Sequence, residues 1–421
     1  MPGCVKESMI SRWYGARDVR HLPGSALPCD MTRYVSAHSL TLVFGSGRKV
    51  LTDEMRGMIA ETGATLLEDD MDAFRAFDKG RLWAIFGQDF TDFELDRDPA
   101  TQPSLSEMTA KALDLLSHNG NKKGFFLMVE GSKVDYGAHS RDPMELITEL
   151  LEFDRAVKVC MDFAKKDGNT TVVFVPDHGN CGIQIGGGGY DDYETNPVDS
   201  VYAGLRDCRS SSWKMTERLQ GCRESEIPSV FKEWTGITLR PAELKALKAN
   251  MSRTEGDYMK VSDSYNLQSV ICDIYLSRSH INIIGGQHTG EDVFFGVYNP
   301  NGQRPSGVIR NVALNEYLCR VMGLPKPLEA LTDELYAPQD KVFEGFECSV
   351  AAKTPGLGDA GDAAVLTVNG NGVKLQIPAY HNMVIRTRGE SVDTVRTRAQ
   401  CVYMPENGKF YVDATLGRLL D

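Results

Sequence analysis

Six side chains in three separated segments have the types and spacing of divalent-metal ligands. Glu130, Asp135 and His139 lie in the stretch GFFLMVEGSKVDYGAH, residues 124–139, where an apolar run ends on Glu130. Asp177 and His178 follow Pro176 after a second apolar run, TVVFV, residues 171–175. His288 follows a third, INII, through Gly285 and Gly286, and leads into Thr289, Gly290, Glu291 and Asp292. Taken singly, each is an ordinary polar loop residue. Three apolar strands that each end in Asp, Glu or His are harder to dismiss, because ionisable groups beside buried strands are costly unless they are paired or ligating. Zinc accepts neutral imidazole together with carboxylate, whereas magnesium prefers oxygen alone. Three histidines and two aspartates are enough to begin two zinc sites, and Glu130 is left for a harder ion. Imidazoles must be neutral to bind, so occupancy is expected to fall below about pH 6.5, and any activity to be sensitive to chelators.

The elements that position these groups read as alternating strands and helices. Residues 125–129 are an unbroken apolar run, expected as a strand buried on both faces in the middle of a parallel sheet. Strands are further expected at residues 41–44, 65–67 and 81–86, with helices at 52–61 and 71–77. Ser104 and Glu107 form a capping box that opens a helix to about Leu116. Asp142 and Pro143 supply an N-cap and a first-turn proline for another helix. Repeats of this kind imply a doubly wound, mostly parallel α/β sheet with right-handed crossovers and helices on both faces, its chemistry at the carboxyl ends of the strands. Gly45-Ser46-Gly47 lacks the full phosphate-binding glycine pattern and reads as a tight turn. The first forty residues have no sustained period and read as irregular.

The residues resemble a known family. Val129-Glu130-Gly131, the Asp135/His139 pair, Pro176-Asp177-His178 and the run QHTGED at residues 287–292 are similar, in order, to motifs of the alkaline phosphatases. The resemblance spans residues 41 to about 322. It implies an alkaline-phosphatase-like fold and hydrolysis of small phosphomonoesters through a phosphoserine, with two Zn2+ and one Mg2+ as cofactors. It further implies that Asp135, His139 and His288 hold the first zinc, that Asp177 and His178 help to hold the second, and that Glu130 binds magnesium. Members are commonly periplasmic or secreted, and commonly homodimers.

The chain departs from the family pattern in its first part. Neither the aspartate on the family's first strand nor the Asp-Ser-Ala segment carrying the nucleophile is found. The only Asp-Ser pairs, Asp199-Ser200 and Asp263-Ser264, lack a preceding strand and following small residues. Ser11-Arg12 resembles the Ser-Arg of the phosphate clamp, which makes Arg12 a weak candidate. The expectation is an N-terminally shortened phosphatase, weakly active or inactive by itself, with an opening in the sheet where the missing strand belongs. Its alternatives are a non-catalytic metal- or phosphate-binding homologue, and another superfamily member such as a phosphodiesterase or a phosphoglycerate mutase.

Composition narrows the partners. A formal charge of −12 argues against nucleic acid, which requires a basic face. No apolar run reaches the length of a membrane span, and residues 1–15 lack the basic start and apolar core of a signal peptide. Ten cysteines without a CxxC pair give no zinc-ribbon or thioredoxin signal, and Cys208 and Cys222 are read as either a disulfide or separate thiols. The expected division is an α/β domain at residues 1–340, with a helical insertion at about 186–280. A small β-rich module, with a hairpin turn at residues 369–372, follows at 341–421. Trp213 and Trp234 are expected to pack that insertion rather than to line the site.

Overall fold

The computed structural model describes residues 2–6, 41–118, 120, 124–186, 201–252, 265–323, 328–352, 354, 364–405 and 407–421. Its first five strands are β1 (Pro2–Lys6), β2 (Leu42–Ser46), β3 (Ala64–Glu68), β4 (Arg81–Phe86) and β5 (Phe126–Glu130). They form one parallel sheet of order β3-β4-β2-β1-β5. Alternation of side chains along β2 and β4 feeds two cores. Leu42, Phe44, Leu82, Ala84 and Phe86 face one side, and Val43, Trp83 and Ile85 face the other. Helix α1 (Asp53–Glu61) covers the second face with Met55 and Ile59. Helices α2 (Met71–Ala76) and α3 (Leu105–Ser117) cover the first with Phe74, Met108, Ala112 and Leu115. Each helix starts where a side-chain oxygen satisfies an orphan N–H: Thr52 accepts from Met55, Asp70 from Ala73, and Ser104 from Glu107. This is the doubly wound α/β arrangement expected from the sequence.

Two local readings change. The run at residues 125–129 is not buried on both faces: β5 is the outermost strand among the described residues, with Phe126 45% and Met128 36% exposed. Leu127 and Val129, on its other face, pack on the core. An unbroken apolar run states that a strand is apolar but not which of its faces is covered. Nor is the amino-terminal end irregular throughout, since β1 pairs in parallel with both β2 and β5 and leaves no opening between them. The candidate Arg12 and both Asp-Ser pairs lie outside the described residues.

Beyond the sheet come α4 (Ser132–His139), α5 (Pro143–Asp167), β6 (Val172–Phe174), β7 (Gly179–Asn180) and β8 (Ile183–Ile185). Asp142 caps α5 by accepting from the N–H groups of Met144 and Glu145, and Gly168, at φ 72°, ends it. The helical insertion follows as α6 (Ser212–Gln220), α7 (Ile227–Thr235), α8 (Pro241–Asn250) and α9 (Leu267–Leu276), around Met215, Leu219, Phe231, Leu247, Ile271 and Tyr275. Trp234 lies under the guanidinium of Arg218 at 3.7 Å, and Trp213 meets Phe90 edge-on at 6.0 Å. Trp234 packs the insertion, as expected, whereas Trp213 meets Phe90 outside it. Cys208 and Cys222 are free thiols.

The chain then runs through β9 (Ile281–Ile283), β10 (His288–Thr289), β11 (Gly296–Tyr298) and α10 (Asn311–Val321). The strands after α5 do not join the parallel sheet among the described residues. They make three antiparallel ribbons instead: β6 with β11, β7 with β10, and β8 with β9.

The C-terminal part contains α11 (Leu328–Leu335), β12 (Ala337–Pro338), β13 (Glu347–Ala351), β14 (Val365–Gly370), β15 (Val373–Pro378), β16 (Met383–Arg388), β17 (Ser391–Arg396), β18 (Val402–Met404) and β19 (Lys409–Val412). Strands β13 to β17 form an antiparallel meander, and β12, β19 and β18 a second sheet. Asn371 (φ 49°) and Gly372 (φ 73°) turn β14 into β15, the two positive values a tight hairpin requires. Arg398 joins Asp413 to Glu334 of α11, and β12 pairs with β19, so elements before residue 341 pack with these strands.

Candidate metal centre

Helix α4 places Asp135 and His139 four residues apart, and therefore on one face. Two glycines allow it to lie where it does. A Cβ at Gly131 would come within 2.8 Å of the Phe153 ring, and one at Gly137 within 2.6 Å of the Leu146 backbone nitrogen. Both contacts are against α5, so the helix carrying the two ligand-type residues is seated by close approach at its glycines as well as by its buried side chains, Tyr136 and Ala138 among them.

The β7–β10 ribbon brings in the other two segments. Its register sets His288 opposite Asn180 and Thr289 opposite Gly179, which carries His178 alongside. The His178 and His288 rings stack, with centroids 3.6 Å apart and planes at 22°. Ligand atoms of Asp135, His178 and His288 all lie within 4.8 Å of one another. His139 Nε2 is 3.1 Å from His288 Nε2 and 3.4 Å from Asp135 Oδ1, and His288 Nε2 is 3.6 Å from that same oxygen. Asp177 Oδ2 stands 3.2 Å from His178 Nε2 and its side chain is 77% exposed, at the open rim. Glu130 ends β5 one residue before Gly131 opens α4, and it is outside the group of mutually close ligand atoms.

The tautomers follow from backbone partners. His139 Nδ1 is 2.9 Å from the Gly286 carbonyl oxygen, which can only accept, so Nδ1 carries the hydrogen and Nε2 turns its lone pair inward. His178 has the same arrangement toward the Gly179 carbonyl. The His139 Nε2 lone pair then faces the Asp135 carboxylate and the His288 ring, an arrangement that a shared hydrogen or a cation satisfies. In a tetrahedral zinc site with bonds of about 2.0–2.1 Å, neighbouring ligand atoms stand about 3.3 Å apart. The Asp135–His139–His288 triangle, with edges of 3.1, 3.4 and 3.6 Å, fits one face of such a tetrahedron.

The solved structure of a cold-active alkaline phosphatase from Shewanella sp. shares the fold, with a TM-score of 0.63, 20% identity, and coverage of 77% of this chain and 75% of that one. In sequence, alkaline phosphatase 4 of Bacillus subtilis is 33% identical over 220 residues, which cover 52% of this chain and 43% of that protein. Alkaline phosphatase 3 of the same organism is 28% identical over 280 residues, covering 66% and 57%. The family profile described as alkaline phosphatase matches residues 46–324. The chain belongs to the alkaline phosphatase family. It spans about half the length of the curated relatives it matches.

Charge in this alkaline phosphatase homologue is distributed unevenly over the cluster. Burial works against a proton on His139, but hydrogen bonds with Asp135 and Cys181 outweigh it and raise the group to about 10. Burial and the neighbouring His178 imidazole hold His288 below its ordinary value. A divalent cation would therefore have to displace a proton from His139. Sequence reading had missed three participants: the Gly286 carbonyl, Asn180, whose Nδ2 donates to Asp135 Oδ1 at 2.6 Å, and Cys181. Backbone acceptors leave no trace in residue type. Asn180 and Cys181, within three residues of His178, were the part within reach.

Proposed function

We propose that this protein is a zinc- and magnesium-dependent phosphomonoester hydrolase. In this reading Asp135, His139 and His288 hold one zinc, Asp177 and His178 contribute to a second, and Glu130, an oxygen donor, serves magnesium. The observation that carries it is the triangle of ligand atoms with edges of 3.1 to 3.6 Å. Two bound cations supply charge neutralisation for the attacking and departing oxygens of an in-line phosphoryl displacement. The protein's own part is to hold the ligands before the cation arrives: α4 presents two on one face, the β7–β10 register presents the others, and the Gly286 and Gly179 carbonyls set the tautomers. Asp177 and His288, the more exposed members, leave the centre open toward solvent, where a small phosphomonoester can reach it.

The same reading includes export to the periplasm or medium, homodimerisation, and a two-part chain. Its α/β part takes residues 1–340 and its β-rich part residues 341–421, against which α11 and β12 pack. No residue is assigned as nucleophile.

The test uses the full chain. Zinc affinity is measured at pH 8 by competition with a chromophoric chelator, and phosphate release from p-nitrophenyl phosphate is compared with hydrolysis of the bis-ester. The expected result is one tightly held zinc per chain, slow zinc-dependent hydrolysis of the monoester and no hydrolysis of the diester. A chain that retains no zinc, or that prefers the diester, overturns the proposal.

A further inference from the structure

Two and three residues after His178, Asn180 and Cys181 form a hydrogen-bonded pair that ends on the metal-facing carboxylate. Asn180 Nδ2 donates to Asp135 Oδ1 at 2.6 Å and reaches the Asp135 backbone oxygen at 3.3 Å. The Cys181 thiol donates to Asn180 Oδ1 at 2.8 Å. The order of donors is forced. A carboxylate only accepts, so the NH2 of the amide must face Asp135, and the amide oxygen is left pointing at Cys181, which must donate. Were the amide reversed, two oxygen acceptors would meet at 2.6 Å.

Cys181 is itself held in place. It is 1% exposed and has a φ of 57°, a left-handed conformation uncommon for a residue with a Cβ. Its N–H donates to the Gln287 carbonyl, and its own carbonyl accepts from Ile284 and Gly285, which lead into His288. One buried residue therefore links all three arms of the cluster: α4 by way of Asn180, the segment after His178 as a member, and the segment before His288 through its backbone.

We infer that Asn180 and Cys181 act together as positioning residues for the metal centre, the thiol fixing the amide of Asn180 and the amide fixing the Asp135 carboxylate toward the cation. The inference rests on the metal-centre reading above and adds the groups that set its ligand geometry. Partners of this kind orient a ligand and are worth about 10–100-fold in metal affinity.

The experiment compares wild type, N180A, C181A and C181S as full chains. Zinc affinity is measured by chelator competition, and the visible spectrum of the Co2+-loaded protein reports ligand geometry; circular dichroism in chelator checks folding. N180A is expected to lose about 10–100-fold in zinc affinity and to change the cobalt spectrum. C181A should do the same to a lesser degree. C181S, whose hydroxyl can still donate to Asn180, should return affinity and spectrum toward wild type. The cysteine variants carry the test if N180A does not fold. Wild-type affinity and an unchanged cobalt spectrum in N180A or, should that variant not fold, in C181A overturn the inference. A wild type that binds no zinc overturns the metal-centre reading itself, and this one with it.

Discussion

His139 and His288 stand 149 residues apart in the chain and meet Nε2 to Nε2 at 3.1 Å. Two imidazole nitrogens turned toward each other at that distance either share a hydrogen, one donating and the other accepting, or face a common cation. Much of what can be tested in this protein follows from that contact and from the carboxylate of Asp135 beside it.

Removing one corner of the triangle should cost more than its share of the binding. H288A and D135N each leave two ligands on an open face, and each is expected to lower zinc affinity by at least tenfold while leaving the circular dichroism of the chelated chain unchanged. Equilibrium dialysis against zinc at fixed pH checks this. Wild-type retention by H288A would show that the triangle is not the site.

The pH dependence has opposite signs with and without metal. His139, raised to about 10, must release its proton to a cation, so zinc affinity should climb steadily from pH 6 to 9. In the presence of a chelator the charged His139–Asp135 pair contributes stability below the unfolded pKa of 6.5, and that contribution is lost as pH rises through about 10. Melting temperatures of zinc-loaded and chelated protein should therefore diverge with rising pH. A constant gap between them would count against His139 as a ligand.

Gly137 offers a test of how α4 is seated. A methyl group there would lie 2.6 Å from the Leu146 nitrogen and 3.0 Å from the Glu145 carbonyl carbon, both backbone atoms that cannot yield separately. G137A is expected to destabilise the protein by about 1–3 kcal/mol and to weaken zinc binding together with it, since Asp135 and His139 flank the displaced residue. Urea denaturation and the same zinc titration give the two numbers. A G137A protein with unchanged stability would mean that α4 and α5 are not in close contact.

In the C-terminal part, Asp413 is the corresponding structural pivot. It accepts two hydrogen bonds from Arg398 at 2.6 Å and one from the Thr415 N–H, which starts the last helical turn. Burial opposes its charge, but these bonds outweigh it and hold its pKa at about 2, below the ordinary 3.8. Its contribution is present above pH 3.8 and lost as pH falls toward 2. D413N should lower stability by about 1–3 kcal/mol near neutral pH and flatten the acid limb of the unfolding curve. Zinc binding should be unaffected, because the metal centre lies on other elements.

Residue type and local spacing already determined which side chains could ligate a metal, the class of fold, the caps at Ser104 and Asp142, and the hairpin turn at Asn371-Gly372. These depend on a few neighbouring residues, and local rules reach that far. The tertiary structure alone decided that β5 shows one face to solvent, that Pro2–Lys6 forms a strand of the sheet, and that β6 and β9 pair antiparallel in ribbons of their own. It also decided how the candidate ligands meet. That His288 stands beside Asn180 and His178 rather than elsewhere on the rim is a matter of register between strands over a hundred residues apart, and apolar periodicity is silent about register across such distances. Asn180 and Cys181 acquire their role only there, because a hydrogen bond depends on where two groups end up and not on what precedes them in the chain.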